Sequence, residues 1–348
     1  MDKAGLVPAS GVAPDGPVLI ELTDSGLYCR AGDFHVDPWR PVANAVITHA
    51  HSDHARAGSA RYLAAAPGCS LLRHRLPGAA VEPVDYGEPR RFGPVTVSLH
   101  PAGHVLGSAQ VRIEHGGEVW VVSGDFKRQA DPTCAPFEVV PADVFITEAT
   151  FALPVYRWPD TATVAQEVAD WWADNARRGV ASVLFCYALG KAQRLLAELA
   201  PHLDGRPVFT HGAVESINAV YREAGVTLPD TRRVGDGEQD YREALVLAPP
   251  GAGGSSWMRR FGEAATGFAS GWMLLRGNRR RRGYDRGFVV SDHADWPGLI
   301  DTVEATGAAR VLTTHGQSDL LARYLAERGV AAAAVATEFE GEGDATLQ

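Results

Sequence analysis

Hydrophobic and polar residues alternate over short runs through the first 150 positions: LIELTDSGLYC, FHVDP, NAVITHAH, VTVSLHPAGH, AQVRIEHGGEVWVVSGDF and DVFITEATF, separated by Gly, Pro and Asp. Period-two alternation closed by turn residues predicts strands. In VRIEHGGEVWVVSG the pair Gly116-Gly117 stands between two such runs and predicts a hairpin. From about Asp160 the texture becomes helical. TATVAQEVADWWADNARRG, GKAQRLLAELAPHLDG and VESINAVYREAG carry apolar positions at helical spacing, and the strands ASVLFCYAL and RPVFTHG lie between them. This alternation predicts a small α/β unit with parallel pairing. ALVLAPP, ATGFASGW and RGFVVSDHADW then read as strands or strand ends, PGLIDTVEATG as a helix, and ARVLTTHG as a strand closed by LLARYLAERG. No internal repeat or long linker interrupts the chain, and the tract AAAAVA is too short to be low complexity.

Composition narrows this little. The 348 residues suffice for one large domain or two that share a core, and 45% hydrophobic with 22% charged residues is ordinary for a globular chain. The formal net charge of -9 argues against coating a polyanion through bulk positive charge. Any such site must be local, and Arg276, Arg279, Arg280, Arg281, Arg282 and Arg286 crowd into RGNRRRRGYDR. Cys29, Cys69, Cys134 and Cys186 form no CxxC pair, which fits a reducing cytoplasm rather than a disulfide framework. The N-terminus lacks the pattern of a secretion signal, and no stretch approaches the roughly 18 apolar residues of a membrane span. A cytoplasmic protein with no membrane partner is therefore expected.

Chemistry concentrates in HAHSDHARAG, directly after the apolar run NAVIT. It places His49, His51, Asp53 and His54 within six residues. Imidazole and carboxylate are the donors expected for Zn or Mn, and the spacing lets one strand-to-helix turn aim them at two adjacent cations. PAGHVLGSAQ adds His104 in a Gly-rich loop, and SGDFKR adds Asp125 just after a strand, where a carboxylate can bridge two cations. The Gly190-Lys191 pair opening a helix in CYALGKAQRLL has the chemistry of a phosphate seat. Lys127, beside Asp125, is placed to touch a backbone phosphate, and Arg279, Arg280, Arg281 and Arg282 to track a nucleic-acid strand.

The series Asp37, HAHSDH, His104, Asp125 resembles the metallo-β-lactamase superfamily over most of the chain. The resemblance implies a four-layer αββα sandwich with two divalent metal ions, Zn or Mn, at one edge. His49, His51 and His104 would hold the first ion, Asp53 and His54 the second, with Asp125 shared and Asp37 supporting the ligands. Glu148 in ITEATF, His293 in SDHADW and His315 in LTTHG resemble the additional motifs of the β-CASP nuclease branch. That likeness implies a metallo-β-lactamase domain from 1-154 and 286-348, with an inserted α/β cap at 155-285 and substrate in the groove between. It also implies that His315 completes the second metal site, and that His293, steadied by Glu148, assists loss of the leaving oxygen. Asp53 would orient and deprotonate the attacking water.

YCRAGDFHVDPWRPVANAVITHAHSDHARAGS is most similar to the bacterial DNA-ligase-associated exonucleases. This implies an exodeoxyribonuclease, 5′ to 3′ by analogy with the branch, acting on DNA in repair beside an ATP-dependent ligase and a helicase. His315 matches the pattern common in RNA-processing members, whereas crosslink-repair DNA nucleases often carry Val there, so a ribonuclease stays open. A small-molecule hydrolase would leave Glu148, His293 and the GKAQR helix start unexplained.

Overall fold

The computed structural model describes residues 18–237, 240–275 and 283–338. The early alternation resolves into strands β1 (Glu21–Thr23), β2 (Gly26–Cys29), β3 (Phe34–Val36), β4 (Asn44–Ile47) and β5 (Arg61–Ala65), helix α1 (Cys69–Arg75) and strand β6 (Val81–Val84). LIELTDSGLYC, read as one strand, is a hairpin. Thr23 pairs with Gly26, and the Thr23 hydroxyl both accepts from Ser25 N and donates to Gly26 O. β5 carries no alternation because its last four residues are all buried, so periodicity does not reveal it. These strands form one sheet in sequence order, antiparallel up to β3 and parallel from β3 to β6.

A second sheet begins with β7 (Arg90–Phe92), β8 (Val95–Pro101), β9 (Ala109–His115), β10 (Glu118–Val122) and β11 (Val144–Glu148). The expected hairpin joins β9 to β10 through Gly116-Gly117, with His115 opposite Glu118. The chain then builds a separate compact unit, Trp158–Asp292. That unit holds α2 (Thr161–Arg177), β12 (Ala181–Phe185), α3 (Lys191–Leu199), β13 (Val208–Thr210), α4 (Gly212–Glu223), β14 (Arg232–Arg233), β15 (Leu245–Ala248), β16 (Ala264–Ala269) and β17 (Arg286–Phe288). Its strands form one all-parallel sheet in the order β14-β13-β15-β12-β16-β17. β17 pairs with β16, so the residues from 286 to 292 stand with this unit, whereas the sequence division began the return at 286.

From His293 the chain rejoins the first unit with α5 (Trp296–Thr306), β18 (Arg310–Thr314), α6 (Ser318–Ala326) and β19 (Ala331–Ala334). The alanine tract is thus an edge strand. The second sheet runs β19-β18-β11-β10-β9-β8-β7, parallel from β19 to β10 and antiparallel from β10 to β7.

Strand alternation sorts the first unit into layers. Val46 of β4, Trp120 and Val122 of β10, Val144 and Ile146 of β11 and Leu312 of β18 meet in one core between the two sheets. Their neighbours point the other way. Ala45 and Ile47 pack with Cys69, Leu72 and Leu76 of α1. Val121, Phe145 and Val311 pack with Leu299 and Val303 of α5 and with Leu321 and Leu325 of α6. The result is a four-layer αββα sandwich. Because β8, β10, β11 and β18 run in one direction within their sheet, as β3 and β4 do within theirs, the loops that follow them gather at strand C-terminal ends.

Candidate metal centre

Apart from His293, every donor picked out in the sequence of the first unit lies at or just beyond one of those strand ends. Asp37 follows β3, His49 to His54 follow β4, His104 follows β8, Asp125 follows β10, Glu148 closes β11 and His315 follows β18. The structure brings them into three groups: His49, His51, His104 and Asp125; Asp53, His54 and His315; and Asp125, Glu148 and His293. In each group the candidate ligand atoms lie within 4.8 Å of one another. Asp125 belongs to the first and third groups, and its carboxylate also reaches His54 of the second. Its Oδ2 is 3.5 Å from His49 Nε2, 3.8 Å from His104 Nε2 and 3.4 Å from His54 Nε2. On the other side, Asp53 Oδ2 stands 3.6 Å from His54 Nε2.

The orientation of the imidazoles follows from what holds their Nδ1 atoms. Asp37 is buried and takes a left-handed backbone, φ 44°. Its carboxylate accepts from Thr48 N at 2.7 Å, from Thr48 Oγ1 at 2.5 Å and from His54 Nδ1 at 2.7 Å. Since the Thr48 hydroxyl donates to Asp37, it is left to accept from His49 Nδ1 at 3.0 Å. The same device recurs at the other end of the chain. Thr314 Oγ1 donates to Thr147 O at 3.2 Å and accepts from His315 Nδ1 at 2.8 Å. Thus His49, His54 and His315 each turn Nε2 toward the centre, while His51 presents Nδ1, 3.1 Å from His104 Nε2. Sequence reading missed Thr48 and Thr314. The available signal was a threonine directly before a candidate ligand in both THAH and TTHG.

Two glycines make the close packing possible. A Cβ on Gly124, beside Asp125, would lie 2.6 Å from Thr48 Cβ, and one on Gly316, beside His315, 2.6 Å from Ala149 O. His315 itself sits at φ 59°, so two site residues occupy a backbone region that costs a non-glycine residue roughly 1–3 kcal/mol.

Electrostatics divide the donors. Burial, reinforced by His54 and His104, holds His49 well below the ordinary histidine range. Burial takes His315 down to about 4. Both rings are therefore neutral near pH 7, the form that ligates. Burial also acts on His54, but the Asp125 and Asp53 carboxylates outweigh it and raise its pKa well above the usual value. For Asp125 the cations of His54 and His293 prevail over burial and hold the carboxyl well below its usual range. Among the described residues, His49 Nε2 and Asp125 Oδ1 are buried with no hydrogen-bond partner. Orphaned buried donors and acceptors are costly, and a divalent cation amid imidazole and carboxylate satisfies them.

Glu148 and His293 form a pair beside this cluster. Glu148 is buried and accepts from Phe126 N at 2.8 Å, from Thr150 Oγ1 at 2.5 Å and from His293 Nδ1 at 2.8 Å. Burial raises its pKa, with His293 opposing and Asp125 adding to the shift. The His293 ring lies 4.8 Å from that of His104, which sets it against the ligand cluster with Nδ1 engaged.

The residues proposed for phosphate are placed less simply. Lys127 is 1% exposed, enclosed beside the ligand it follows. Gly190 and Lys191 open α3 in the second unit. Gly190 N donates to Gln193 Oε1 at 2.8 Å, and the buried Lys191 ammonium stands 3.6 Å from Asp292 Oδ2. Arg279, Arg280, Arg281 and Arg282 lie outside the described residues. No described helix is long and apolar enough to cross a membrane.

No family model matches the chain. It is 34% identical over 320 residues to a "Probable DNA ligase" of Opitutus terrae, covering 91% of this chain and 31% of that protein. It is 26% identical over 149 residues to an "RNase J-like protein" of Methanocaldococcus jannaschii, covering 40% of this chain and 35% of that protein. Over 132 residues it is 30% identical to "Endoribonuclease ysh1" of Aspergillus fumigatus, covering 36% of this chain and 15% of that protein. The chain thus spans about a third or less of the length of these curated relatives. A solved structure of a protein of unknown function from Enterococcus faecalis shares the fold, with TM-score 0.56 and 12% identity over 85% of this chain and 80% of that one.

Proposed function

As a member of the β-CASP branch of the metallo-β-lactamase superfamily, this chain is, we propose, a metal-dependent nuclease that hydrolyses phosphodiester bonds of DNA from an end. The observation that carries this reading is the pair of donor groups linked where Asp125 of the first stands 3.4 Å from His54 of the second, with the Glu148–His293 pair set against the first. His49, His51 and His104 would hold one cation and Asp53, His54 and His315 the other, with Asp125 within reach of both donor groups. Two divalent ions there, Zn or Mn, would neutralise charge developing on the phosphoryl oxygens and acidify the attacking water.

The chain's own groups do the rest. Asp53, whose side chain is 20% exposed against 6% for Asp125, orients the water and takes its proton. As the new phosphorus–oxygen bond forms, the bond to the departing sugar oxygen breaks, and His293 gives that oxygen a proton from Nε2. Glu148, accepting from Nδ1, keeps the ring in register and stabilises its charged form. Lys127, Gly190 and Lys191 are candidates for phosphate contact only if substrate reaches groups now enclosed. The unit Trp158–Asp292 corresponds along the chain to the insertion that the resemblance reads as a cap.

DNA is favoured by the relative named a probable DNA ligase, whose likeness runs over nearly the whole of this chain. The name of that relative fits cooperation with a DNA ligase, and a part in DNA repair beside an ATP-dependent ligase and a helicase is what the sequence resemblance implies. A ribonuclease is the second reading, favoured by the relatives named RNase J-like and endoribonuclease. Digestion of 5′-labelled and 3′-labelled single- and double-stranded DNA and RNA, with Mn or Zn, tests both readings together with the favoured 5′ to 3′ direction. Turnover confined to DNA ends is expected, and turnover confined to RNA would replace the first reading with the second. Asp53→Ala should abolish turnover, and His293→Ala should slow it about 10²- to 10⁴-fold with metal retained. Full activity of Asp53→Ala would remove the metal assignment.

A further inference from the structure

The turn that carries His51, Asp53 and His54 is closed by its own backbone, since Ala55 N donates to His51 O at 2.8 Å and His54 N to the same oxygen at 3.3 Å. Arg75 holds it a second time. One nitrogen of that guanidinium, Nη1, donates to Ala50 O at 2.5 Å and to Ala55 O at 3.4 Å, and so joins the two alanines that enclose the three donors. Both alanines are buried, and a carbonyl in the interior needs a donor. All of these residues belong to the first unit.

Arg75 is the last residue of α1, and that helix is itself seated on the strand that leads into the turn. Leu72 and Leu76 share one buried cluster with Ala45 and Ile47 of β4 and with Ala55. The guanidinium therefore reaches the turn from a fixed base. Thr48 and Asp37 orient the rings of His49 and His54 through Nδ1, whereas Arg75 acts on the backbone between Ala50 and Ala55. Burial lowers the pKa of Arg75, and the Asp53 carboxylate, near enough to act on it, opposes that shift. A positive charge beside Asp53 works against any divalent ion that this carboxylate would hold, so what Arg75 offers the centre is geometry.

We propose that Arg75 is a positioning residue: by tying Ala50 O to Ala55 O it sets the spacing at which the turn presents His51 to one donor group and Asp53 and His54 to the other. This rests on the reading of those groups as metal sites. The tie moves no proton and acts only on the placement of the donors.

The test is the Zn affinity of the full chain, measured by competition against a chromophoric chelator, and the sign of the effect separates the tie from charge. Arg75→Met removes a positive charge, which by itself would tighten Zn binding, and removes the tie, which should weaken it about 10- to 100-fold. Arg73→Met controls for a merely loosened helix end, because Arg73 Nη2 donates to Val81 O at 3.1 Å from the same last turn of α1, and it should bind Zn as the wild type does. Arg75→Lys keeps a charged donor and should fall between the wild type and Arg75→Met. It also carries the test if thermal melting shows that Arg75→Met does not fold. Unchanged or tighter binding in the Arg75 variants, or an equal loss in Arg73→Met, would overturn the positioning role. If the wild type itself holds no Zn, the reading of the centre fails and the tie with it. If the wild type holds two ions and the Arg75 variants hold them as tightly, only the tie is wrong.

Discussion

Thr48 and Thr314 each precede a histidine of the centre, and each uses one hydroxyl twice, donating to an oxygen deeper in the unit and accepting from the neighbouring Nδ1. Replacing Thr48 with Val keeps the shape but leaves His49 Nδ1 and Asp37 Oδ2 short of a partner in a buried setting. Metal affinity should fall about 10- to 100-fold, as is usual when the group orienting a ligand is lost. Competition against a chromophoric chelator measures this, with Thr314→Val expected to weaken the second site in the same way. Unchanged affinity in both variants would mean that the threonines do not set the ring orientation. Their role was hidden in the sequence because it depends on Asp37 and Thr147, which reach the hydroxyls from other strands. The ligands themselves were legible, since a β-sheet edge needs its donors just after apolar strands and that is where the histidines and aspartates stand.

At the scale of elements, a second polar cluster shows how the inserted unit is held. Glu215 of α4 accepts from Thr210 at 2.5 Å, from Thr231 at 2.6 Å and from Arg222 at 3.1 Å, which ties the helix to the end of β13 and to the segment leading into β14. Burial works against its charge, but these bonds prevail and lower its pKa below the ordinary 4.5. A depressed carboxyl pKa contributes stability that is present above the ordinary value and is lost as pH falls through the lowered one. Glu215→Gln should therefore lower the urea midpoint at pH 7 and show a shallower loss of stability on acidification than the wild type. An unchanged midpoint with the same acid limb would contradict this. Elements were legible in the sequence where one face was buried, as in α2 and β10. β5 was not, because it is buried on both faces, and the meaning of GKAQR was not, because Asp292 lies some hundred positions downstream.

Over the whole molecule, the αββα order follows from strand alternation, and the site follows from strand direction. Six strands with their C-terminal ends at sheet edges deliver loops that no single segment could build. Asp125 of the first donor group stands 3.4 Å from His54 of the second, so on the proposed reading hydrolysis should depend on both groups being filled. The most direct test strips the protein with chelator, returns Mn or Zn stepwise, and follows bound metal per chain beside cleavage of an end-labelled DNA strand. Cleavage is expected to be absent in the stripped protein and to reach its maximum as occupancy approaches two ions per chain, with Asp125→Asn failing to recover. Full cleavage by the stripped protein, or occupancy of both sites with no cleavage of any nucleic acid, would contradict it.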